Sequence, residues 1–326
     1  METKKLCLIL LGSLGIGMTN VQAESAGKTA FRHLDVAVSA GTTGIGVDVA
    51  APLCKVAQVR AGFSFIPRVE INSVFRVEVG VPEYDANTGE KIDKFSEMSG
   101  KLERFTGFRV DDKVIMELKP TMYNASLLFD VFPIPDNDHW YVTAGVYYGH
   151  EKIGEAVNGT EDMVTLVSVA YYNNLRQQAL NEEGIGKFLS PDYIEMLYNY
   201  GEMYVPMGKY KHDGVAADGT PYAKGDTYRM YPNEDCTVSA KMKVNKFKPY
   251  VGLGFKNNFG YQDRFAVSVD AGVMFWGGAP DVYTHDGTNL TRDVEDIYGK
   301  VGRYMDVASA MKVFPVLNAR ISYRIF

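Results

Sequence analysis

Along much of the chain, apolar and polar side chains alternate with a period of two. Leu34, Val36 and Val38 stand against Asp35, Ala37 and Ser39, and Ile45, Val47 and Val49 against Gly46, Asp48 and Ala50. Val59, Ala61, Phe63 and Phe65 oppose Gln58, Arg60, Gly62 and Ser64, and the same rule runs through 140–148, 237–244, 249–255 and 265–275. Side chains in a strand point alternately to its two faces, so this pattern predicts β-strands with one apolar and one polar face. Strands are predicted near 32–41, 44–53, 56–66, 113–131, 139–154, 228–244, 248–257, 264–276, 279–289 and 313–326. Ten strands result, and eight to twelve fit the same pattern. The fourth changes phase around Pro120, which predicts a bulge or bend there.

The N-terminus says where such strands would be used. Lys4 and Lys5 precede an apolar run from Leu6 to Met18 and the sequence Val21-Gln22-Ala23. That is the layout of a secretory signal peptide, 1–23, cleaved between Ala23 and Glu24 to leave 24–326. Beyond it no stretch is long and apolar enough for a membrane helix, so an exported chain that enters a membrane must do so as a closed barrel. The expected fold is therefore all-β: a transmembrane antiparallel β-barrel of about ten strands in the outer membrane. A secreted β-sandwich also alternates, but its apolar face fills a core. The nearly charge-free apolar rows, and polar rows rich in Gly, Ser and charges, favour the barrel.

Periplasmic turns of such barrels are short and external loops long. Pro133 to Asn137 and Asn245 to Lys248 read as periplasmic turns, which puts 67–112 and 158–230 outside. Three segments read as helices in extracellular loops: Glu161 to Asn181, Ser190 to Leu197 with a Ser cap and Pro in its first turn, and Asp293 to Met311. By the alternation rule Asp35, Asp48, Arg60, Glu117, Lys119, Asp130, Lys241, Lys243, Asp270, Arg320 and Arg324 face the lumen. Opposite charges so confined form either a neutralising network that fills the interior or the lining of a solute pathway.

The C-terminal strand, with Tyr323 and Phe326, looks like the assembly signal of outer-membrane proteins. The series Gly41-Thr42-Thr43-Gly44-Ile45-Gly46, Leu128-Phe129-Asp130-Val131-Phe132-Pro133, Lys248-Pro249-Tyr250-Val251-Gly252-Leu253-Gly254 and Phe314-Pro315-Val316-Leu317 resembles a family of small outer-membrane β-barrel proteins of Bacteroidetes and related Gram-negative bacteria. Two features depart from that family: Ile325 puts Phe326 out of phase with Tyr323, and 158–230 is long. The resemblance implies a fold and a location, and recognition of the C-terminal strand by barrel-assembly machinery. It implies no reaction.

Composition narrows the function further. A net charge of -6 and a pI near 5.5 argue against nucleic acid as a partner. Cys54 and Cys236 are too few for a disulfide scaffold and too far apart in sequence for a zinc cluster. His33, His139, His150, His212 and His285 show no metal-ligand spacing, and no Gly-x-Ser-x-Gly elbow is present. His150-Glu151 is the best acid–base pair and reads as a solvated strand end, while His139-Trp140 reads as the start of an aromatic girdle. Catalysis, cofactors and metals are not expected. The expected role is an outer-membrane barrel serving as a narrow channel or transport component for small solutes, or alternatively a structural or surface-interaction barrel with a filled lumen.

Overall fold

The computed structural model describes residues 31–67, 71–107, 110–134, 137–160, 163–216 and 219–325. The expected signal segment, the Ala23/Glu24 junction and the terminal Phe326 lie outside them. Eight strands close an antiparallel barrel: β1 (Asp35–Gly41), β2 (Gly44–Cys54), β3 (Ala57–Phe65), β4 (Tyr123–Val131), β5 (Trp140–Gly149), β6 (Phe247–Phe259), β7 (Phe265–Met274) and β8 (Phe314–Arg324). Each strand pairs with the next, and β8 closes on β1 with Asp35 opposite Arg324 and Ser39 opposite Arg320. The lower rim carries the start of β1, the end of β8 and the connections 55–56, 132–139 and 260–264; the upper rim carries the 42–43 turn and three long excursions.

The excursions leave the barrel as strands. Ile71–Arg76 follows β3, Lys113–Pro120 leads into β4, Lys152–Asn158 follows β5, Ser239–Lys243 leads into β6, and Asp281–Thr284 follows β7. Their lateral order matches that of the barrel strands they extend. The ladder is continuous too: Phe247 pairs with Tyr148 in the barrel, and Lys243 with Lys152 just above it. Eight strands thus replace the expected ten, because 228–244 and 279–289 supply upward extensions rather than separate barrel strands. Asn245 to Lys248 is correspondingly a junction at the upper rim and not a lower turn.

Polarity inverts where barrel becomes extension. On β6 the outward residues Phe247, Pro249, Val251, Leu253 and Phe255 are exposed, while Lys248, Tyr250, Gly252, Gly254 and Lys256 are buried inside. On the extension of β4 the inward residues are Val114 and Met116, both buried, and the polar pair Glu117 and Lys119 lies outside the core. Parity is kept through Pro120: Val114, Met116 and Met122 share the inward face with Asn124 and Leu128. What changes is the surroundings on either side of the wall.

The apolar outer belt is edged by aromatic rings. Phe65, Tyr123, Tyr148 and Phe247 stand near the upper rim, and Trp140, Phe255, Phe265 and Tyr323 near the lower, with Trp140 packed edge-on to Phe255 at 5.0 Å. From Phe247 to Phe255 the strand rises about 27 Å, or roughly 21 Å along the axis at a 40° tilt. That height is close to the apolar band of about 25 Å on outer-membrane barrels.

Above the barrel the extensions form a five-stranded sheet whose inner face packs on an upper lobe. Helices α1 (Lys94–Thr106), α2 (Met163–Leu180), α3 (Pro191–Tyr200) and α4 (Gly299–Ala310) and the strand pair Met203–Tyr210 and Thr227–Met230 complete it. Its core includes Val114, Leu166, Val169, Tyr172, Met203 and Val238, all essentially inaccessible. The expected helix at 293–311 is shorter: a single turn at Leu290–Asp293 and the two-residue strand Val294–Glu295 precede α4. Helix α1 was not expected from the apolar periodicity. It is delimited by its caps, with Asp93 accepting from the Ser96 amide and Gly107 at φ 73°.

Candidate functional site

The barrel interior is the first place where this chain concentrates charge. Alternation turns Gln58 and Arg60 of β3, Asp130 of β4, Tyr141 and Thr143 of β5 and Asp270 of β7 inward at one level. Arg60 clamps the lumen across its width. Its Nε lies 2.8 Å from Asp130 Oδ2, and its Nη2 donates to Asp130 Oδ1 at 2.8 Å and to Asp270 Oδ1 at 3.0 Å. Asp130 also accepts from Gln58 at 2.6 Å and from Thr143 at 2.8 Å, and Asp270 accepts from the Tyr141 hydroxyl at 3.0 Å. A buried ion is tolerated when its opposite charges and hydrogen bonds are supplied by fixed partners, and here every partner comes from a hydrogen-bonded strand.

Two more ion pairs lie on the β8 side. Arg320 reaches Asp48 through Nε at 2.8 Å, with a second contact from its Nη2. Nearer the lower rim Arg324 meets Asp35 at 3.2 Å, and Lys256 stands 3.8 Å from the same carboxylate. Above the Arg60 clamp the lumen turns apolar. Tyr147 meets Tyr250 edge to face at 5.5 Å beside Leu128, Met274 and Val316. Glycine makes room for these rings: a Cβ on Gly254 would fall 2.2 Å from the Tyr141 ring, and one on Gly252 2.3 Å from the Tyr250 hydroxyl oxygen. The cavity left among Ser39, Asp48, Arg60, Tyr147, Asp270 and Arg320 is about 30 Å³, room for one or two waters.

Four of the expected lumen residues, Glu117, Lys119, Lys241 and Lys243, stand elsewhere. Glu117 pairs with Lys119 at 2.6 Å, Lys243 comes within 3.8 Å of Glu151, and Lys241 opposes Glu155 and Tyr283 across the ladder, all on the outer face of the upper sheet. They are not part of the interior network, since the side that is polar in the extension is the side that is apolar in the barrel. The remaining charges form separate nodes: Arg60 with Asp130 and Asp270, Arg320 with Asp48, and Arg324 with Asp35. Sequence reading missed Lys248 and Lys256. Lys248 is fully buried and donates to Asn124 Oδ1 at 3.0 Å.

The upper lobe carries its own polar cluster. Asp286 accepts from the Tyr228 hydroxyl at 2.7 Å, from the Thr284 hydroxyl at 2.6 Å and from the Thr288 amide at 3.0 Å. Burial raises the Asp286 carboxyl, but these donors outweigh it and hold the group below its ordinary value. Among the described residues no group of three or more His, Cys, Asp and Glu could hold a metal, and no helix is long and apolar enough to cross a membrane. Cys54, at the lower rim, and Cys236, in the upper lobe, are free thiols.

No family model and no curated protein sequence matches the chain. Similar solved structures, at low identity, include the following three. Acinetobacter baumannii CarO2 is 14% identical, over 90% of this chain and 98% of that one, with a TM-score of 0.36. Acinetobacter baumannii CarO is 12% identical, over 89% and 96%, at 0.39. A major outer membrane protein from Thermus thermophilus is 12% identical, over 90% and 98%, at 0.24. These likenesses are too remote to carry weight for this chain, and they lend no support to the Bacteroidetes family resemblance.

Proposed function

We propose that the chain is an outer-membrane protein whose eight-stranded barrel is an anchor sealed by its own side chains, and whose upper lobe, facing outward from the cell, does the work of binding. The single observation that supports it is the Arg60 clamp. One guanidinium is held by carboxylates from two other strands under a layer of tyrosine, and the cavity beside it, about 30 Å³, is too small for a hydrated solute. The belt between the aromatic rings supports the membrane setting, because the outward faces of β1, β2, β6 and β8 expose Val, Leu and Ile in rows with no charge among them. The protein then meets lipid through the belt, and catalysis is no part of the reading.

Planar-bilayer recording tests it. Purified barrel should give no stable conductance step, whereas an Arg60→Ala, Tyr141→Ala double substitution should admit ions. Steady unitary conductance from the unsubstituted protein would overturn the sealed-barrel reading in favour of a narrow channel.

A further inference from the structure

The core of the upper lobe is not filled. A cavity of about 250 Å³ lies against the inner face of the five-stranded sheet, with Met116, Met207, Met230, Met242 and Met305 among its walls. Four of these five are nearly inaccessible, Met242 being only partly buried. The cavity therefore reaches into the interior of the lobe. Tyr304, which is half exposed, is among its lining residues.

Gly154 explains why the hole persists. It follows the bulge in the extension of β5 and lies in the inward row Pro120, Gly154, Met242 and Val282, where the other three positions line the cavity with side chains. A Cβ built on Gly154 would find nothing nearer than 3.9 Å, so the backbone leaves open space at the one position in that row that has no side chain.

The lining also defines what can enter. Water needs two to four polar partners, and of the two hydroxyls in the wall the Thr284 hydroxyl is already engaged with Asp286, Tyr228 and the Thr288 carbonyl, while that of Tyr304 belongs to a half-exposed side chain. The charged residues that border it, Lys119 and Glu155, belong to the outer face of the sheet and are engaged there, Lys119 with Glu117 and Glu155 with Lys152. Methionine side chains are unbranched and polarizable, and they favour aromatic rings. An apolar hole of about 150 Å³ stays dry and takes up benzene, so this one has room for about two fused rings.

We propose that this cavity is a binding site for an uncharged apolar molecule of about the size of naphthalene. It deepens the reading of the lobe as the working part of the protein. An acidic ligand of the same shape is excluded, because its carboxylate would be desolvated with no cation left to meet it.

The test uses the full chain in lipid nanodiscs with ¹³C-methyl-labelled methionine, titrated with naphthalene. Saturable shifts are expected at the five lining methionines and not at Met122 or Met274, which face the barrel interior. Gly154→Leu should abolish them by occupying the space. The site is refuted by shifts that are absent, that spread equally to Met122 and Met274, or that persist undiminished in folded Gly154→Leu. If that variant does not fold, the distribution of shifts in the unsubstituted protein decides. 2-Naphthoate should bind at least tenfold more weakly, and equal binding would overturn the requirement for an uncharged ligand. Conductance is read separately: a conducting barrel with these shifts sinks only the sealed-barrel reading, and an insulating barrel without them sinks only the pocket.

Discussion

At the scale of single residues the barrel rests on charge arithmetic. Arg60 supplies one positive charge to a node with two carboxylates, so removing it strands both Asp130 and Asp270 in a low-dielectric interior. Arg60→Ala is expected to cost about 3–5 kcal/mol, the usual penalty for breaking a buried pair from one side. Asp270→Asn leaves the guanidinium matched by Asp130 and should stay within about 1 kcal/mol. Urea unfolding from vesicles, followed by Trp140 and Trp276 fluorescence, compares the two, and equal losses would show that water already screens the node. In the lobe, Asp286 is held below its ordinary value, so the sign is that of a depressed carboxylate. It adds stability above the unfolded value of about 3.9, and that contribution is lost as pH falls through the lower folded value. Acid titration of lobe tyrosine fluorescence should show a step below pH 4 that Asp286→Asn lacks. A step unchanged by the substitution would assign acid unfolding to other groups.

At the scale of the element, the same wall obeys two opposite rules. Within the belt the apolar side chains point away from the barrel axis, and above it they point toward the lobe core, so a substitution is judged by height along the strand as much as by parity. Leu253→Lys, in mid-belt, should lower stability in a bilayer by about 2–4 kcal/mol, whereas Lys241→Leu on the outer face of the extension should change it by less than about 0.5 kcal/mol. Similar effects at the two positions would place the membrane boundary elsewhere. This inversion also marks how far the sequence could be read. Period-two alternation is a local signal, and it located all eight barrel strands, but the phase change expected at Pro120 is a change of surroundings, since parity is kept through it. Alternation carries no label for the membrane edge, so the alternating segments at 228–244 and 279–289 passed for barrel strands, and Glu117, Lys119, Lys241 and Lys243 were assigned to a lumen that ends below them. The charges of β1, β2, β3, β7 and β8 were legible because they lie within the barrel strands themselves. Lys248 lay at a junction that resembled a turn, and the lobe cavity was invisible because it is the meeting of side chains far apart in sequence.

At the scale of the whole molecule, a closed antiparallel wall leaves no free edge and satisfies its backbone internally, which makes barrels resistant to detergent at room temperature. Unboiled protein is expected to migrate differently from boiled protein on a denaturing gel, and identical migration of a folded sample would count against closure. The lobe has no such independence. The partners in its sheet come from distant stretches of chain, as when Ser239 opposes Val157, and bringing such ends together carries an entropic cost that grows with the loop between them. Once Tyr148 and Phe247 are zipped in the barrel, the next rungs at Lys152 and Lys243 are already neighbours and that cost has been met. The unbroken ladder thus imposes an order in time: the anchor closes first and templates the lobe, and on denaturation the lobe melts while the anchor stands. In hydrogen exchange at rising urea, amides of Ser239–Lys243 should lose protection well before those of Leu253 and Val269.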